Sequence, residues 1–230
     1  MTRFLLLFLA TLALAAPTRA QAPVLTADFA LLAAAAVDLS SSTRFVEAAP
    51  MPLSVPQGIA AYGPFRVLDA RRAALVDVTD SATPAQFAAM LAAHPGIAQI
   101  ELIEAPGTED DRANLRLGRM IRARGLATHV PAGGSVRSGA VELFLAGQRR
   151  SADPGAEFAV HAWADDLGRE ATDYPADAPE NRAYLDYYVE MGMTAGTARA
   201  FYAMTNSVPH AAARWLTVRD LARWVALDQG

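Results

Sequence analysis

From residue 97 to residue 163 the chain repeats one pattern. An apolar run of strand length is followed by a glycine-bearing loop, a helical pattern and another apolar run. "IAQIELIE" (97–104) reads as a buried strand ended by Pro106-Gly107. "EDDRANLRLGRMIRARG" reads as an amphipathic helix with acids in its first turn and arginines in its last, as the helix dipole prefers, and Gly125 ends it. "LATHV" is the next strand and "PAGGS" a loop; residues 138–147 form a more apolar helix and "EFAVHAW" a further strand. Such alternation defines an α/β domain, most simply a mostly parallel sheet with crossover helices.

Upstream, "FRVLDARRAALVDV" reads as two strands around a polar turn at residues 70–72. Thr83 is placed as the cap, and Pro84 at the first position, of a helix running to Ala93 and stopped by "HPG". Downstream, helices are expected over about 178–191, 194–205 and 216–226. Before the body lies an extension read as a short helix and an extended connector. The expected organisation is a signal peptide over 1–20, an N-terminal extension or linker over 21–61 and one domain over 62–230.

Function classes fall away on composition. The 230 residues carry a formal charge of −4, which gives no electrostatic footprint for nucleic acid. There is no cysteine, hence no thiolate nucleophile, thiolate metal site or disulfide. There is also no lysine: all 20 basic residues are arginine. Ser–Lys dyads, Schiff bases and phosphate-loop lysines all need an amine that a permanently charged guanidinium cannot replace. "MTRFLLLFLATLALAAPTRA" has the charged start, apolar core and small-residue end of an export signal cut after Ala20, so the protein is expected to be periplasmic or secreted, without a stable membrane anchor after cleavage. No His/Asp/Glu set has the spacing of a zinc or calcium site, and no metal or cofactor is expected.

Two glycine-bearing loops follow strands, "EAPGTEDD" and "VPAGGSVRSGA", where α/β sheets place ligands. The second leads into a helix at Ser138. Gly139 leaves the backbone N–H after that serine open to a substrate oxygen, as acyl transfer requires. Serine is equally a favoured helix cap, so both readings stand at this point. The Gly-x-Ser-x-Gly elbow is absent, because residues 136 and 140 are Val and Ala.

The ordered set "VRSGAVELFLAGQRR…GAEFAVHAW", with the strand, Pro-Gly turn, helix and strand before it and "YLDYYVEMG" and "WLTVRDLARW" after it, resembles the Clp protease proteolytic subunit and its exported hydrolase relatives in the Clp/crotonase superfamily. The resemblance covers about residues 62–226. It implies a spiral of β-β-α units with a mostly parallel sheet and C-terminal helices. It also implies Ser138 as nucleophile, His161 as general base and an oxyanion hole from the N–H of Gly139 with Gly107-Thr108, acting on a peptide or ester. Thr108 stands where the pattern has a second glycine. A homo-oligomer is open, since relatives form rings or trimers. A coenzyme A role would rest on the fold alone; no basic cluster supports it, and an exported protein would not normally meet that cofactor.

One departure is larger. The family's third residue is an acid in the loop before the last helix; here that loop reads "NSVPHAAARWLT", with alanine at 211–213. Glu142, one turn beyond Ser138, and Asp165, shortly after His161, are the candidate substitutes for orienting the imidazole; His210 lies in the acid's own loop but is no carboxylate. A Ser–His dyad, or an impaired enzyme kept as a binding or scaffold protein, remains as the alternative.

Overall fold

The structure is a computed structural model that describes residues 44–45 and 54–228. The expected signal peptide and most of the N-terminal extension lie outside the described residues.

The chain builds two sheets at once. After the antiparallel strands β2 (Ala60–Tyr62), β3 (Phe65–Val67) and β4 (Arg72–Leu75) and helix α1 (Thr83–Ala93), each strand added to the large sheet is followed by one added to the small sheet. β5 (Gln99–Leu102) joins the large sheet and β6 (Glu104–Ala105) the small one. After β7 (Gly107–Thr108) and α2 (Asp111–Ala123), β8 (Ala127–Val130) and β9 (Ser135–Arg137) do the same. α3 (Ala140–Leu145) then leads to β10 (Arg150–Ala152) and β11 (Glu157–Val160). The large sheet has the order β10-β8-β5-β4-β3-β2 and the small one β12-β11-β9-β6, where β12 is Arg214–Thr217. Pairings among β4, β5, β8 and β10, and among β6, β9 and β11, are parallel. This is the expected spiral of β-β-α units. Helices α4 (Pro179–Glu190), α5 (Ala195–Thr205) and the short α6 (Val218–Leu221) complete the chain.

Several local expectations are corrected. The run 97–104 is not one strand: Ile103 is the corner at which the chain leaves the large sheet for the small one. Ala82, not Thr83, holds the cap position of α1 and makes no side-chain cap bond; Thr83 already lies within the first turn, and Asp80 in the loop before accepts the N–H groups of Ala82 and Thr83. β9, β10 and β12 were not anticipated, and the last helix is only Val218–Leu221.

The core joins both sheets to the helices through Phe65, Phe87, Phe144, Phe158, Tyr184 and Phe201, all fully buried. α2 contributes a stripe of Asn114, Leu117, Gly118 and Ile121. Gly118 is required by close approach: a Cβ there would lie 1.9 Å from the hydroxyl of Tyr187. That hydroxyl donates to the carbonyl of Glu142 (2.6 Å), so α4 is pulled against α3 across the gap that the glycine leaves. No helix among the described residues is long and apolar enough to cross a membrane.

Candidate active site

Because β6, β9 and β11 run parallel, their carboxyl ends come to the same edge of the small sheet. Those ends carry Pro106-Gly107, Ser138-Gly139 and His161 in turn. The Ser138 N–H donates to the carbonyl of Ala159 (2.8 Å), which sets the serine beside the strand that ends just before His161. With strands about 4.8 Å apart and about 3.3 Å of rise per residue, the two backbones are separated by roughly 6 Å at this level.

The conformation of Ser138 separates the two readings of its side chain. It is the sole non-glycine residue with positive φ (51°) among the described residues, it is fully buried, and its hydroxyl has no hydrogen-bond partner among them. α3 begins at Ala140 with Gly139 at the capping position and no side-chain cap bond. The serine is therefore not a helix cap. A left-handed L-residue costs about 1–2 kcal/mol, and a buried hydroxyl without a partner about 1–3 kcal/mol. Strain of this kind persists where the surrounding structure imposes it. The N–H of Gly139 has no backbone partner among the described residues, as an oxyanion donor requires.

Several buried groups impose the turn. Asn114 donates from Nδ2 to the carbonyl of Gly139 (2.6 Å), and its Oδ1 accepts the hydroxyl of Thr79 (3.1 Å). The N–H of Thr79 donates to the carbonyl of Gly107 (3.0 Å). One chain of bonds thus ties the turn after the serine to the Pro-Gly turn. A second tie lies one residue before the serine: buried Arg137 pairs with Glu104 at the start of β6 and donates to Ser135 Oγ (2.6 Å). Neither tie was anticipated. A readable signal existed for Asn114, a polar residue on the apolar stripe of α2. Arg137 gave none, since an arginine in a loop-like segment reads as solvated.

Gly107 has φ 131°, a region that glycine alone enters readily. Thr108 is fully buried, and its hydroxyl accepts the N–H of Asp110 (3.1 Å) and lies within bonding distance of the carbonyls of Thr79 and Asp110. The side chain that replaces the expected second glycine is occupied in holding its own loop. β7 pairs antiparallel with β1 (Arg44–Phe45).

His161 is fully buried, and its Nδ1 lies 2.8 Å from the carbonyl of Ala162. A carbonyl only accepts, so Nδ1 carries the hydrogen and Nε2 of the neutral ring is the basic nitrogen. The loop before β12, where the family pattern has its acid, does reach His161: Val208 accepts the N–H of Ala162 (2.8 Å), and the His210 ring packs edge-on against His161 at 5.0 Å between centroids. It brings an imidazole and no carboxylate. Glu170 accepts the N–H of His210 (2.8 Å) from behind.

Neither candidate substitute takes the imidazole N–H. Glu142 is buried in α3 and accepts the Tyr188 hydroxyl at Oε1 (2.6 Å). Asp165 holds a turn, accepting from Arg169 (2.7 Å), the Tyr174 hydroxyl (2.6 Å) and the Leu167 N–H. Burial pushes the Asp165 carboxyl up, but the bonds from Tyr174 and Arg169 outweigh it and hold it down at about 2. Burial, then the bond to Asp165, drives Tyr174 up to about 12. Trp163, Tyr184, Tyr187, Tyr188 and Phe201 are core, while Tyr202 lines a cavity of about 590 Å³ with Tyr174, Asn181 and Arg199.

A complete Ser-His-Asp set occurs elsewhere, on the large sheet. His129 Nδ1 lies 2.9 Å from Ser151 Oγ, and its Nε2 lies 3.6 Å from Asp153. Ser151 and His129 are direct neighbours in the β8–β10 pairing. Among the described residues no group of three or more His, Asp or Glu could hold a metal ion.

No protein-family model and no curated protein matches the chain. Solved structures similar to it include a ClpP1 mutant from Listeria monocytogenes, with TM-score 0.48 and 16% identity over 67% of this chain and 87% of that one. They also include the 1510-N membrane-bound stomatin-specific protease, as a mutant in complex with a substrate peptide, with TM-score 0.44 and 16% identity over 69% and 72%. A third is an enoyl-CoA hydratase from Shewanella pealeana, with TM-score 0.45 and 12% identity over 72% and 67%. These proteins carry different chemistries, and no reaction passes from them to this chain.

Proposed function

We propose that the protein is an exported serine hydrolase of Clp/crotonase type that cleaves an amide or ester by acyl transfer. The observation that carries this reading is Ser138, held left-handed and buried, with a hydroxyl that neither caps the helix nor bonds a described neighbour. In this reading Nε2 of His161 takes the hydroxyl proton as Oγ bonds the carbonyl carbon, and the oxyanion forms against the N–H of Gly139 and of Gly107 or Thr108. His161 then protonates the leaving amine or alcohol as its bond to the carbonyl carbon breaks, and water, deprotonated by the same ring, releases the acid. The Ala162 carbonyl takes the orienting place of the acid. It fixes the tautomer but brings no full negative charge to the imidazolium, so a slow enzyme is expected.

The test is labelling by an alkyl fluorophosphonate with Ser138→Ala and Ser151→Ala as controls. Loss of labelling in the first variant alone supports the reading; labelling retained in Ser138→Ala moves the reactive serine elsewhere. An unlabelled protein favours the second reading, a Clp-like fold kept as a binding or scaffold module, for which the absent acid speaks. Export belongs to the same proposal: the mature chain should begin near Gln21, and N-terminal sequencing that finds Met1 on the periplasmic or secreted protein contradicts it.

A further inference from the structure

We infer that the segment before the domain acts as an internal competitor of the substrate. This rests on the hydrolase reading of Ser138. β7, the strand offered as part of the oxyanion hole, is bridged on one side through Thr79, and β1 pairs with it antiparallel, Arg44 with Thr108 and Phe45 with Gly107. An extended chain laid on a strand edge is recognised through main-chain bonds, whatever its side chains. A polypeptide substrate presenting its backbone to Gly107-Thr108 would need the place that β1 holds. In agreement, Ser138, His161 and Thr108 are all fully buried in this state.

The connection makes the competition strong. Only residues 46–53 separate β1 from the continuous body. At about 3.4 Å per extended residue such a tether keeps β1 within a few tens of ångströms of β7. Its effective concentration is then on the order of millimolar. A substrate at micromolar concentration is at a disadvantage until the segment is cut or drawn away, after which β1 competes only at its own bulk concentration. Cleavage within 46–53 would therefore switch the site on.

Two forms of the chain test this: the double variant Arg44→Pro/Phe45→Pro, which removes both N–H groups of β1, and a chain carrying a specific-protease site within 46–53, compared before and after cutting. A peptidyl phosphonate, which needs the strand position, should label Ser138 at least tenfold faster in the proline variant and in the cut chain than in the intact one. Hydrogen exchange should show the amides of Gly107 and Thr108 losing at least tenfold protection in the same two forms. Unchanged exchange shows that β1 does not hold the edge and overturns the proposal. So does an unchanged peptidyl rate in a protein whose Ser138 still reacts with the alkyl fluorophosphonate; the hydrolase reading then stands alone. If the alkyl probe labels no form at Ser138, the hydrolase reading fails and the competitor with it.

Discussion

Two serines lie beside two histidines in this molecule, and they differ in what their surroundings demand of them. Ser151 is within bonding distance of His129, has an aspartate across the ring and sits in ordinary strand geometry at the rim of the large sheet. Ser138 has the buried His161 nearby, no acid in the loop before β12, a left-handed backbone and a hydroxyl without a partner among the described residues. The more complete set is the more relaxed one. A hydroxyl already satisfied in a polar pair contributes stability, as any hydrogen bond does. A buried hydroxyl held in a strained turn costs stability, and the fold carries that cost through Asn114, Thr79 and the Arg137–Glu104 pair. The proposed hydrolase reading therefore rests on an unfavourable conformation that several buried groups enforce, and not on completeness of the residue set.

The contrast can be broken most directly by removing each hydroxyl. Ser138→Ala should lower fluorophosphonate labelling by more than about a hundredfold, and Ser151→Ala should leave it within about twofold. The reverse pattern would transfer the reactive centre to the large sheet. Next in size is the missing acid. Ala211→Asp adds a carboxylate to the loop that packs on His161 and should speed a working dyad by about tenfold; an unaltered rate would show that the Ala162 carbonyl already orients the ring as well as an acid could.

Stability sharpens the same contrast. Ser138→Gly removes both the left-handed strain and the buried hydroxyl and should stabilise the protein by about 1–2 kcal/mol. Ser151→Ala loses a satisfied bond and should destabilise it by about 0.5–1.5 kcal/mol. Denaturant unfolding that gives both variants the same sign would remove the distinction.

The smallest effect concerns Asp165. Its carboxyl lies at about 2 in the fold, below the roughly 3.9 of an unfolded chain. Its ionised form therefore stabilises the fold above about pH 4, and that contribution is lost as pH falls through about 2. Asp165→Asn should be less stable than the parent at neutral pH, with the gap closing between about pH 4 and pH 2, and should leave labelling of Ser138 within about threefold. A much larger loss of labelling would restore Asp165 as an orienting group.

The sequence made the α/β alternation and the long helices legible because their periodicity is carried by apolar residues. It failed where burial is polar or a strand is very short. Ser135–Arg137 read as loop because an arginine and a serine do not look buried, yet Arg137 is neutralised by Glu104 inside the fold. The corner at Ile103 was hidden in an unbroken apolar run, since strand periodicity carries no information about which sheet a strand joins. At the site, Ser138 and His161 could be named from the resemblance. What could not be read was the strain: φ at a serine depends on the Asn114–Thr79 chain, whose members are 24 and 59 positions away in sequence.

The clamp from α4 onto α3 has a consequence in time as well as in space. Glu142 follows Ser138 by one turn, but the hydroxyls that bond it arrive 45 and 46 residues later, and the loop that packs on His161 comes later still. A chain emerging from the ribosome has made its serine and its histidine long before it can hold either in place. Until α4 is synthesised, the Glu142 carboxylate lacks the Tyr188 hydroxyl that it accepts in the fold. On the proposed hydrolase reading, the site can therefore be assembled only once α4 and the loop after α5 are in place.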